Sequence, residues 1–257
     1  MTAALFWLDP DTLDGARAGS TVHLTGTEGH HAVAVRRIRV GETILVADGS
    51  GLVAHADVTD VTREGLSARL EDIHDATPAA PRLILAQALA KNDRDEAAVE
   101  TATELGVDEV LAWQARRSIV VWRGERGRKS LRKWSNIALA AAKQARRATV
   151  PLVHGPVGTQ ELVQRVAQVD AAYVLHEDAP TGLVEQMSSW GVDGAAIPGQ
   201  VMLVVGPEGG VAPEEVLLLQ EAGAIPVRLG DTVLRSSSAG PAGLSVVLAA
   251  TRWRGHA

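Results

Sequence analysis

The stretch VMLVVGPEGGVAPEE (residues 201–215) joins an apolar run to a glycine-rich loop and then to the first turn of a helix. The apolar run predicts a buried strand, and a proline followed by two glutamates is typical of a helix start. A glycine loop between a strand and a helix often lets a ligand approach the backbone closely. The stretch therefore predicts an α/β fold with a ligand site at this junction.

The loop Gly206–Gly210 is poorly suited to a phosphate. It lacks the Lys-Ser/Thr pair of a P-loop and the spacing of a Rossmann fingerprint. The next helix opens with Glu214 and Glu215, so a phosphate would meet their carboxylates as well as that of Glu208. The loop favours a ligand with a neutral or cationic contacting group over ATP or NAD. A tight turn without any ligand is the alternative interpretation.

A second strand–loop–helix junction, RLGDTVLRSSSAGPAGL, covers residues 228–244. Gly230 suggests an unusual backbone angle, the serines 236–238 could cap the next helix, and Pro241 is expected in its first turn. Arg235 precedes that helix, where its guanidinium can reach into a cleft; an ordinary surface arginine is the alternative. Because α/β sheets bind ligands where strand ends open together, we expect both loops to line one crevice.

The chain divides into two regions of different pattern. Residues 1–74 contain short alternating segments and turn signals, which predict a small β-barrel. Residues 75–81, rich in proline and alanine, predict a linker. Over residues 82–257, strand-like runs alternate with helical segments, which predicts an α/β domain with a mainly parallel sheet. One helix is predicted over Ser130–Arg147, with Ser130 as its cap.

Composition excludes several kinds of chemistry. The 257 residues include no cysteine, so disulfides, thiolate nucleophiles and cysteine-ligated zinc are excluded. No apolar run is long enough to span a membrane and no leader stands out, so we expect a cytoplasmic protein with no membrane partner. His30 and His31 are adjacent but have no carboxylate at ligand spacing, and we expect no metal.

The net charge of −6 conceals a strongly basic segment. Residues 116–147 contain eleven Lys or Arg and a single acid, Glu125, so their balance is +10 and that of the remaining chain is −16. Such asymmetry favours a polyanionic partner such as nucleic acid. A solvated helix face is the alternative, and the charges alone do not decide between the two.

Several segments, taken in order, resemble the SPOUT (trefoil-knot) RNA methyltransferases of the RsmE type. The two loops, VVGPEGG (204–210) and LGDTVLRSSSA (229–239), resemble the hallmark pair of that family. Residues 24–51 are similar to its PUA-like N-terminal barrel, residues 91–110 to the start of its catalytic domain, and residues 141–151 to its Gln-x-x-Arg-x-x-x-Pro helix end. Members of the family methylate N3 of a uridine in 16S ribosomal RNA of the small subunit.

The resemblance implies a fold, a cofactor and a site. The implied fold is a SPOUT-like α/β knot catalytic domain with a C-terminal trefoil knot, preceded by a small PUA-like β-barrel, and the implied assembly is a homodimer. S-adenosyl-L-methionine is the implied cofactor; it carries a sulfonium cation and no phosphate, in agreement with a loop that lacks lysine. The implied cofactor-binding residues are Leu175, His176, Glu177, Val205, Gly206, Pro207, Glu208, Gly209, Gly210, Leu229, Gly230, Leu234, Ser236 and Ala239.

Ribosomal RNA, free or within the small subunit, is the implied substrate. As a hypothesis, Arg235 is the catalytic residue, because a guanidinium can stabilise the uracil anion that forms when N3 loses its proton. We assign no general base; His176 is a candidate, with a structural role as the alternative. The residues expected to bind RNA are His30, His31, Arg36, Arg37, Arg116, Arg117, Gln144 and Arg147.

Departures from the family pattern leave two alternatives open. Ser236-Ser237-Ser238 stands where Thr-Glu-Thr is common, Lys143 and Ala145 stand where Glu and Ser are expected, and Phe6-Trp7 partly replaces an Arg-Phe-Phe opening. One alternative is another SPOUT RNA methyltransferase that acts on a ribose 2′-hydroxyl or on a different base. The other is a non-catalytic, RNA-binding ribosome assembly factor.

Overall fold

The computed structural model describes residues 3–191 and 196–254. The chain divides into two compact units, an N-terminal unit (Met1–Pro78 with Ala142–Val150) and a C-terminal unit (Ala79–Ala141 with Pro151–Ala257). The sequence-based boundaries did not anticipate that residues 142–150 belong with the N-terminal unit. The ends of the predicted domains, residues 1–2 and 255–257, and the short stretch 192–195 lie outside the described residues.

The N-terminal unit is built on one five-stranded sheet. Its strands are β1 (Leu5–Trp7), β2 (Thr21–Leu24), β3 (Thr43–Ala47), β4 (Leu52–Val61) and β5 (Leu66–Asp75). In the order β1-β3-β4-β5-β2, β1 pairs parallel with β3 and the other neighbours pair antiparallel. The alternation predicted from the sequence places Ile44 and Val46 in the core. A short helix, α1 (Gly26–His30), and a π-helical turn (His31–Val35) lie between β2 and β3.

The C-terminal unit is an α/β layer structure around a six-stranded, fully parallel sheet. Its strands, in the order β11-β9-β10-β6-β7-β8, are β6 (Arg82–Ala88), β7 (Glu109–Gln114), β8 (Leu152–Gly158), β9 (Ala171–Leu175), β10 (Gln200–Val205) and β11 (Ile225–Val227). Its helices are α2 (Arg94–Leu105), α3 (Gly124–Gln144), α4 (Thr159–Val166), α5 (Leu183–Met187), α6 (Pro213–Glu221) and α7 (Ser236–Ala250). The last residues of α3 are counted with the N-terminal unit.

The parallel sheet is buried on both faces, which explains its continuous apolar runs. In β10, Val201, Leu203 and Val205 belong to one hydrophobic cluster, while Met202 and Val204 belong to a second cluster on the opposite face. This burial on both faces agrees with the position of β10 between β9 and β6. The described residues contain no helix that combines the length and the hydropathy needed to cross a membrane.

Two glycines let α7 lie close to the sheet. A Cβ on Gly240 would stand 3.0 Å from Leu85 Cδ1, and one on Gly243 would stand 2.9 Å from Leu203 Cδ1. Because larger residues would push the helix away, these glycines allow α7 to pack closely against β6 and β10.

Two sequence-based predictions need correction. Helix α3 begins at Gly124 rather than at Ser130, which lies inside the helix and does not cap it, since the intervening Glu, Arg and Lys residues are good helix formers. The helix ends at Gln144 because Arg146 adopts a left-handed φ of 53°. Strand β8 was not predicted: its sequence LVHGPVG contains a proline, which an edge strand tolerates.

Candidate functional site

The carboxyl ends of β9 and β10 open onto a cavity of about 640 Å³ in the C-terminal unit. Its walls are the residues after β9, the glycine loop after β10, and the loop that leads into α7. An adjoining cavity of about 80 Å³ shares several of these walls and extends to the end of β11. Both predicted loops therefore meet at one crevice at the carboxyl edge of a parallel sheet, the usual ligand position in such folds.

The structure places all fourteen residues predicted to bind a cofactor around these two cavities. Leu229 and Gly230 line the smaller cavity, and the others line the larger one. Arg235 and Arg117 also line the larger cavity, as does Arg94, which the sequence reading did not select. The cavity shows that these residues lie together; their individual roles stay predictions.

The glycine loop is a tight turn that requires two of its glycines. A Cβ on Gly206 would stand 2.8 Å from Val211 Cγ2 and 3.0 Å from Val211 N. Gly210 has a φ of 71°, and its N–H donates to the carbonyl oxygen of Pro207 at 2.9 Å. The prediction for Gly230 is wrong: its φ is not in the left-handed region, and a Cβ there would meet nothing within 4 Å.

Hydrogen bonds from two other loops hold the glycine loop. The carboxylate of Glu208 accepts from the backbone N–H of Lys91 and from Arg94 Nη1, both at 3.1 Å. On the other side, Arg117 Nη1 donates to the carbonyl oxygen of Gly209 at 2.9 Å. Glu208 is thus a paired anchor of the loop rather than a free carboxylate in the cavity.

The segment before α2 is shaped to present the Lys91 N–H. Asn92 and Asp93 both have left-handed φ values, 56° and 55°. Asp95 accepts hydrogen bonds from the backbone N–H groups of Ala90 and Glu96. Burial raises the pKa of the Asp95 carboxyl above its usual value, although the hydrogen bond from Ala90 acts in the opposite direction. These contacts stabilise the conformation in which Lys91 reaches Glu208.

Carboxylates occupy the N-terminus of α6, as expected from the sequence. The buried Glu215 accepts from the N–H of Ala212, the N–H of Arg116 and the hydroxyl of Thr159. Glu214 forms an exposed ion pair with Arg116. These side chains supply the acceptors that the first turn of a helix requires, so this end of α6 has no room for a bound anion.

The N-terminus of α7 has no capping side chain, in contrast to the sequence-based prediction of a serine cap and to the N-terminus of α6. Arg235 is the N-cap residue, and no side chain caps the helix, so the proposed serine caps are wrong. Ser236 begins the helix, is 7% exposed, and has a hydroxyl without a hydrogen-bond partner among the described residues. Pro241 lies in the second turn rather than the first, because the helix begins at Ser236.

His176 is engaged in the turn after β9. Its Nδ1 accepts from the backbone N–H of Asp178 at 3.2 Å, and the backbone N–H of His176 donates to the carbonyl oxygen of Val227 at 2.9 Å. An accepting Nδ1 places the ring proton on Nε2 in the neutral tautomer. This arrangement favours the structural role over that of a general base.

The residues predicted to bind RNA fall in both units. Arg116 and Arg117 belong to the C-terminal unit, where both make the contacts described above. The others belong to the N-terminal unit: His30, His31, Arg36, Arg37, Gln144 and Arg147. His31 packs edge-on against Phe6, with ring centroids 6.2 Å apart, and Arg147 donates to the hydroxyl of Thr149.

One cluster in the N-terminal unit has residue types that can ligate a metal. His55, Asp72 and His74 lie on β4 and β5 with one potential ligand atom each, all within 4.8 Å of one another. The three side chains are exposed, and His55 Nδ1 is hydrogen-bonded to Asp72 at 2.9 Å. Hydrogen bonds from His55 hold the pKa of Asp72 below its usual value. The expectation of no metal did not consider this cluster and stays a prediction.

Comparison with known proteins agrees with this architecture. The family model of the RNA methyltransferase domain matches residues 78–248, and that of the RNA methyltransferase PUA domain matches residues 24–71. The ribosomal RNA small subunit methyltransferase E of Mycobacterium tuberculosis is 44% identical over 98% of this chain and 94% of its own. That of Bacillus subtilis is 29% identical over 88% and 89%.

Solved structures show the same fold. A methyltransferase of Legionella pneumophila, in complex with S-adenosylmethionine, superposes with a TM-score of 0.79 at 26% identity, covering 97% of this chain and 98% of that one. The Neisseria gonorrhoeae ribosomal RNA small subunit methyltransferase E also gives 0.79, at 24% identity over 96% and 98%, and supports the fold alone.

The fold, the cavity and the domain matches together define an RNA methyltransferase with an N-terminal PUA domain. More narrowly, the chain belongs to the family of ribosomal RNA small subunit methyltransferases E. The resemblance found in the two loops and the predicted fold class are confirmed.

Proposed function

We propose that this protein transfers the methyl group of S-adenosyl-L-methionine to N3 of a uridine in 16S ribosomal RNA. The observation that carries the proposal is the single cavity formed by the glycine loop and the loop before α7. The Legionella relative named above binds S-adenosylmethionine, and the curated relatives act on small-subunit ribosomal RNA, which supports both the cofactor and the substrate class.

The residues present fit this cofactor. A volume of about 640 Å³ suits a ligand of its size. The backbone of the glycine loop and the apolar side chains of Leu175 and Val205 offer a surface for an adenosine moiety, and Glu177 and Asp178 supply negative charge for cationic groups. Leu229, Leu234 and Ala239 extend the apolar wall. When bound, the cofactor supplies a methyl group on a positively charged sulfur.

The chain's own contribution to the reaction is alignment and electrostatic stabilisation. Arg235 lines the cavity on an exposed loop, and none of the ion pairs among residues 3–191 and 196–254 includes it. We propose that its guanidinium contacts a uracil oxygen and stabilises the negative charge that develops as N3 loses its proton. His176 holds the turn after β9 and does not accept that proton.

The exposed basic residues are proposed to hold the RNA backbone. Several basic side chains of 116–147 are paired within the protein: Arg116 with Glu214, Arg128 with Glu125, Lys133 with Glu96 and Lys143 with Glu28. We propose phosphate contacts for Arg123, which precedes α3, for Arg126 and Arg132 of α3, and for the predicted residues of the N-terminal unit. RNA affinity should therefore fall steeply as salt is raised, and a flat salt response would exclude this surface.

Three further proposals follow from the resemblance and concern assembly. The first is that the segment that ends with α7 is threaded as a trefoil knot. The second is that the domains extend over residues 1–74 and 82–257, with a linker at 75–81. The third is that two copies form a homodimer. The strongly exposed apolar side chains of Val184 and Val233 in the C-terminal unit support a surface that is covered in an assembly. Light scattering of the purified protein tests the dimer. Since the substrate is ribosomal RNA, we place the reaction in the cytoplasm.

A comparison of ribosomal RNA from a strain that lacks this protein with RNA from its parent tests the proposal. Nucleoside mass analysis should show loss of one 3-methyluridine from 16S RNA, and the purified protein with S-adenosylmethionine should restore it. Loss of a ribose 2′-O-methyl group or of another methylated base would assign a different methyltransferase activity. Unchanged modification would contradict the proposal.

A further inference from the structure

We propose that the N-terminus of α7, with Ser236 as the donating side chain, forms a subsite for the carboxylate of the bound methyl donor. The proposal rests on the proposed function, because it takes S-adenosylmethionine as the ligand. It assigns a binding role to a particular turn of this chain, and three observations support it.

The first observation is an open helix N-terminus at the cavity. Helix α7 has 15 residues, no side chain caps its first turn, and that turn contains no acidic residue. The leading N–H groups of a helix have no acceptor within the helix, and the helix dipole adds positive potential there. At α6, whose Pro213 lines the same cavity, Glu214 and Glu215 already fill the corresponding position. Of these two helix ends, only that of α7 is open to an anion.

The second observation is an unpaired, buried hydroxyl. Ser236 lines the cavity and is 7% exposed, yet its Oγ has no partner within the described parts of the chain. Other hydroxyls of the same segment do find partners: Ser245 Oγ donates to the carbonyl oxygen of Pro241, and Thr251 Oγ1 donates to that of Val247. Because buried polar groups are almost always hydrogen-bonded, the Ser236 hydroxyl points to a ligand group as its partner.

The third observation is the distribution of charge around the cavity. Arg235, adjacent to Ser236, is exposed and lines the cavity, whereas Glu177 and Asp178 line it at the end of β9. The cavity therefore has positive charge at the start of α7 and negative charge at the end of β9. Of the other charged lining residues, Arg94 is bonded to Glu208 and Arg117 to the carbonyl oxygen of Gly209. S-adenosylmethionine has the matching pattern, since it carries one carboxylate together with an ammonium group and a sulfonium group.

Burial favours the carboxylate of the donor over an RNA phosphate as the anion. A phosphate of the RNA backbone stays at the surface of the protein, where Arg235 is accessible. Ser236 is buried and lines the cavity, where the donor is proposed to lie. The shared chemistry is an oxyanion, and the two sources can be separated experimentally.

The test compares two ligands that differ by the carboxylate. Dissociation constants of S-adenosylmethionine and of decarboxylated S-adenosylmethionine are measured by calorimetry on the wild type, on Ser236→Ala and on Ser238→Ala. Ser238 lies in the same turn but is exposed and does not line the cavity, so it is the matched control. We expect Ser236→Ala to weaken S-adenosylmethionine binding about tenfold, the usual effect of losing a hydrogen bond to a charged group, and to leave the decarboxylated ligand unchanged. Ser238→Ala should change neither.

A second variant keeps a hydroxyl at this position. Ser236→Thr, which introduces the residue common in the family, should bind S-adenosylmethionine and the decarboxylated ligand as the wild type does. Melting temperatures of all variants are recorded alongside.

Each remaining outcome contradicts either the subsite or the proposed function. Equal losses for both ligands, or a lower melting temperature with unchanged affinities, would show that Ser236 serves packing. Reduced RNA affinity of Ser236→Ala without the donor, combined with unchanged donor affinity, would assign the anion to a phosphate and overturn the proposal. A wild type that binds both ligands equally also overturns the subsite but leaves the proposed function intact. A wild type that binds no S-adenosylmethionine contradicts the proposed function itself.

Discussion

The guanidinium of Arg117 donates a hydrogen bond of 2.9 Å to the backbone carbonyl oxygen of Gly209, and so ties the loop after β7 to the glycine loop after β10. The sequence placed Arg117 among the residues that bind RNA. From this contact we propose a positioning role for Arg117 at the cofactor cavity, which it also lines.

We therefore expect Arg117→Ala to weaken S-adenosylmethionine binding about fivefold, because the glycine loop loses one of its two lateral supports. Arg117→Lys should recover part of the affinity, since an ammonium can still donate to a carbonyl. Arg126→Ala, an exposed residue of α3 away from the cavity lining, is the matched control and should weaken RNA binding but not cofactor binding. Calorimetry measures cofactor affinity and titration measures RNA affinity. If Arg117→Ala weakened RNA binding and left cofactor binding unchanged, Arg117 would be an RNA-binding residue.

Glu208 provides the other support of the loop through Lys91 and Arg94. We expect Glu208→Ala and Arg94→Ala each to weaken cofactor binding and each to cost about 1 kcal/mol of stability. The double variant should be little worse than Glu208→Ala alone, because that change already removes the acceptor of Arg94 together with the contact to Lys91. Thermal unfolding and calorimetry on all four proteins measure this coupling. Fully additive losses would mean that the 3.1 Å contact has no energetic role.

The two cavity glycines 206 and 230 should respond differently to alanine. Gly206→Ala places a Cβ 2.8 Å from Val211 Cγ2 and should distort the turn, so that cofactor binding is lost or falls by more than tenfold. A Cβ on Gly230 would meet no atom of the protein within 4 Å, so Gly230→Ala should keep the fold and the stability of the wild type, and any loss of affinity should be smaller than that of Gly206→Ala. Circular dichroism confirms folding before affinities are compared. Equal behaviour of the two variants would contradict the described loop geometry.

Arg235 should affect turnover far more than cofactor affinity. If its guanidinium stabilises the developing uracil anion, Arg235→Ala should reduce kcat by about 100-fold, the scale seen when one such donor is removed, and change the dissociation constant of S-adenosylmethionine by less than threefold. Steady-state kinetics on a 16S RNA fragment give kcat, and calorimetry gives the dissociation constant. Equal losses in kcat and in cofactor affinity would show that Arg235 is a binding residue only.

The two loops could be predicted from the sequence because their chemistry is local. An apolar run that ends in Gly206-Pro207-Glu208-Gly209-Gly210 identifies a strand, a turn and a helix start without knowledge of any neighbour. The same holds for the buried strands of the parallel sheet, whose apolar runs are continuous because both faces are covered.

Contacts between distant segments could not be predicted in this way. Glu208 contacts Lys91 and Arg94 because β10 pairs with β6, and that pairing cannot be inferred from the sequence of either segment alone. Counting charges identifies Arg117 as a cation but does not reveal the carbonyl oxygen of Gly209 as its acceptor. The start of α3 was placed too late because Ser130 looks like a cap, whereas the helix-forming residues before it extend the helix back to Gly124.

The most direct test of the account is a crystal structure of the protein grown with S-adenosylmethionine. We expect the cofactor between the glycine loop 206–210 and the residues Leu234–Ala239, with its methyl group accessible from the side of Arg235. A cofactor bound elsewhere on the molecule, or a cavity that stays closed to it at saturating concentration, would contradict the assignment of the site and the mechanism built on it.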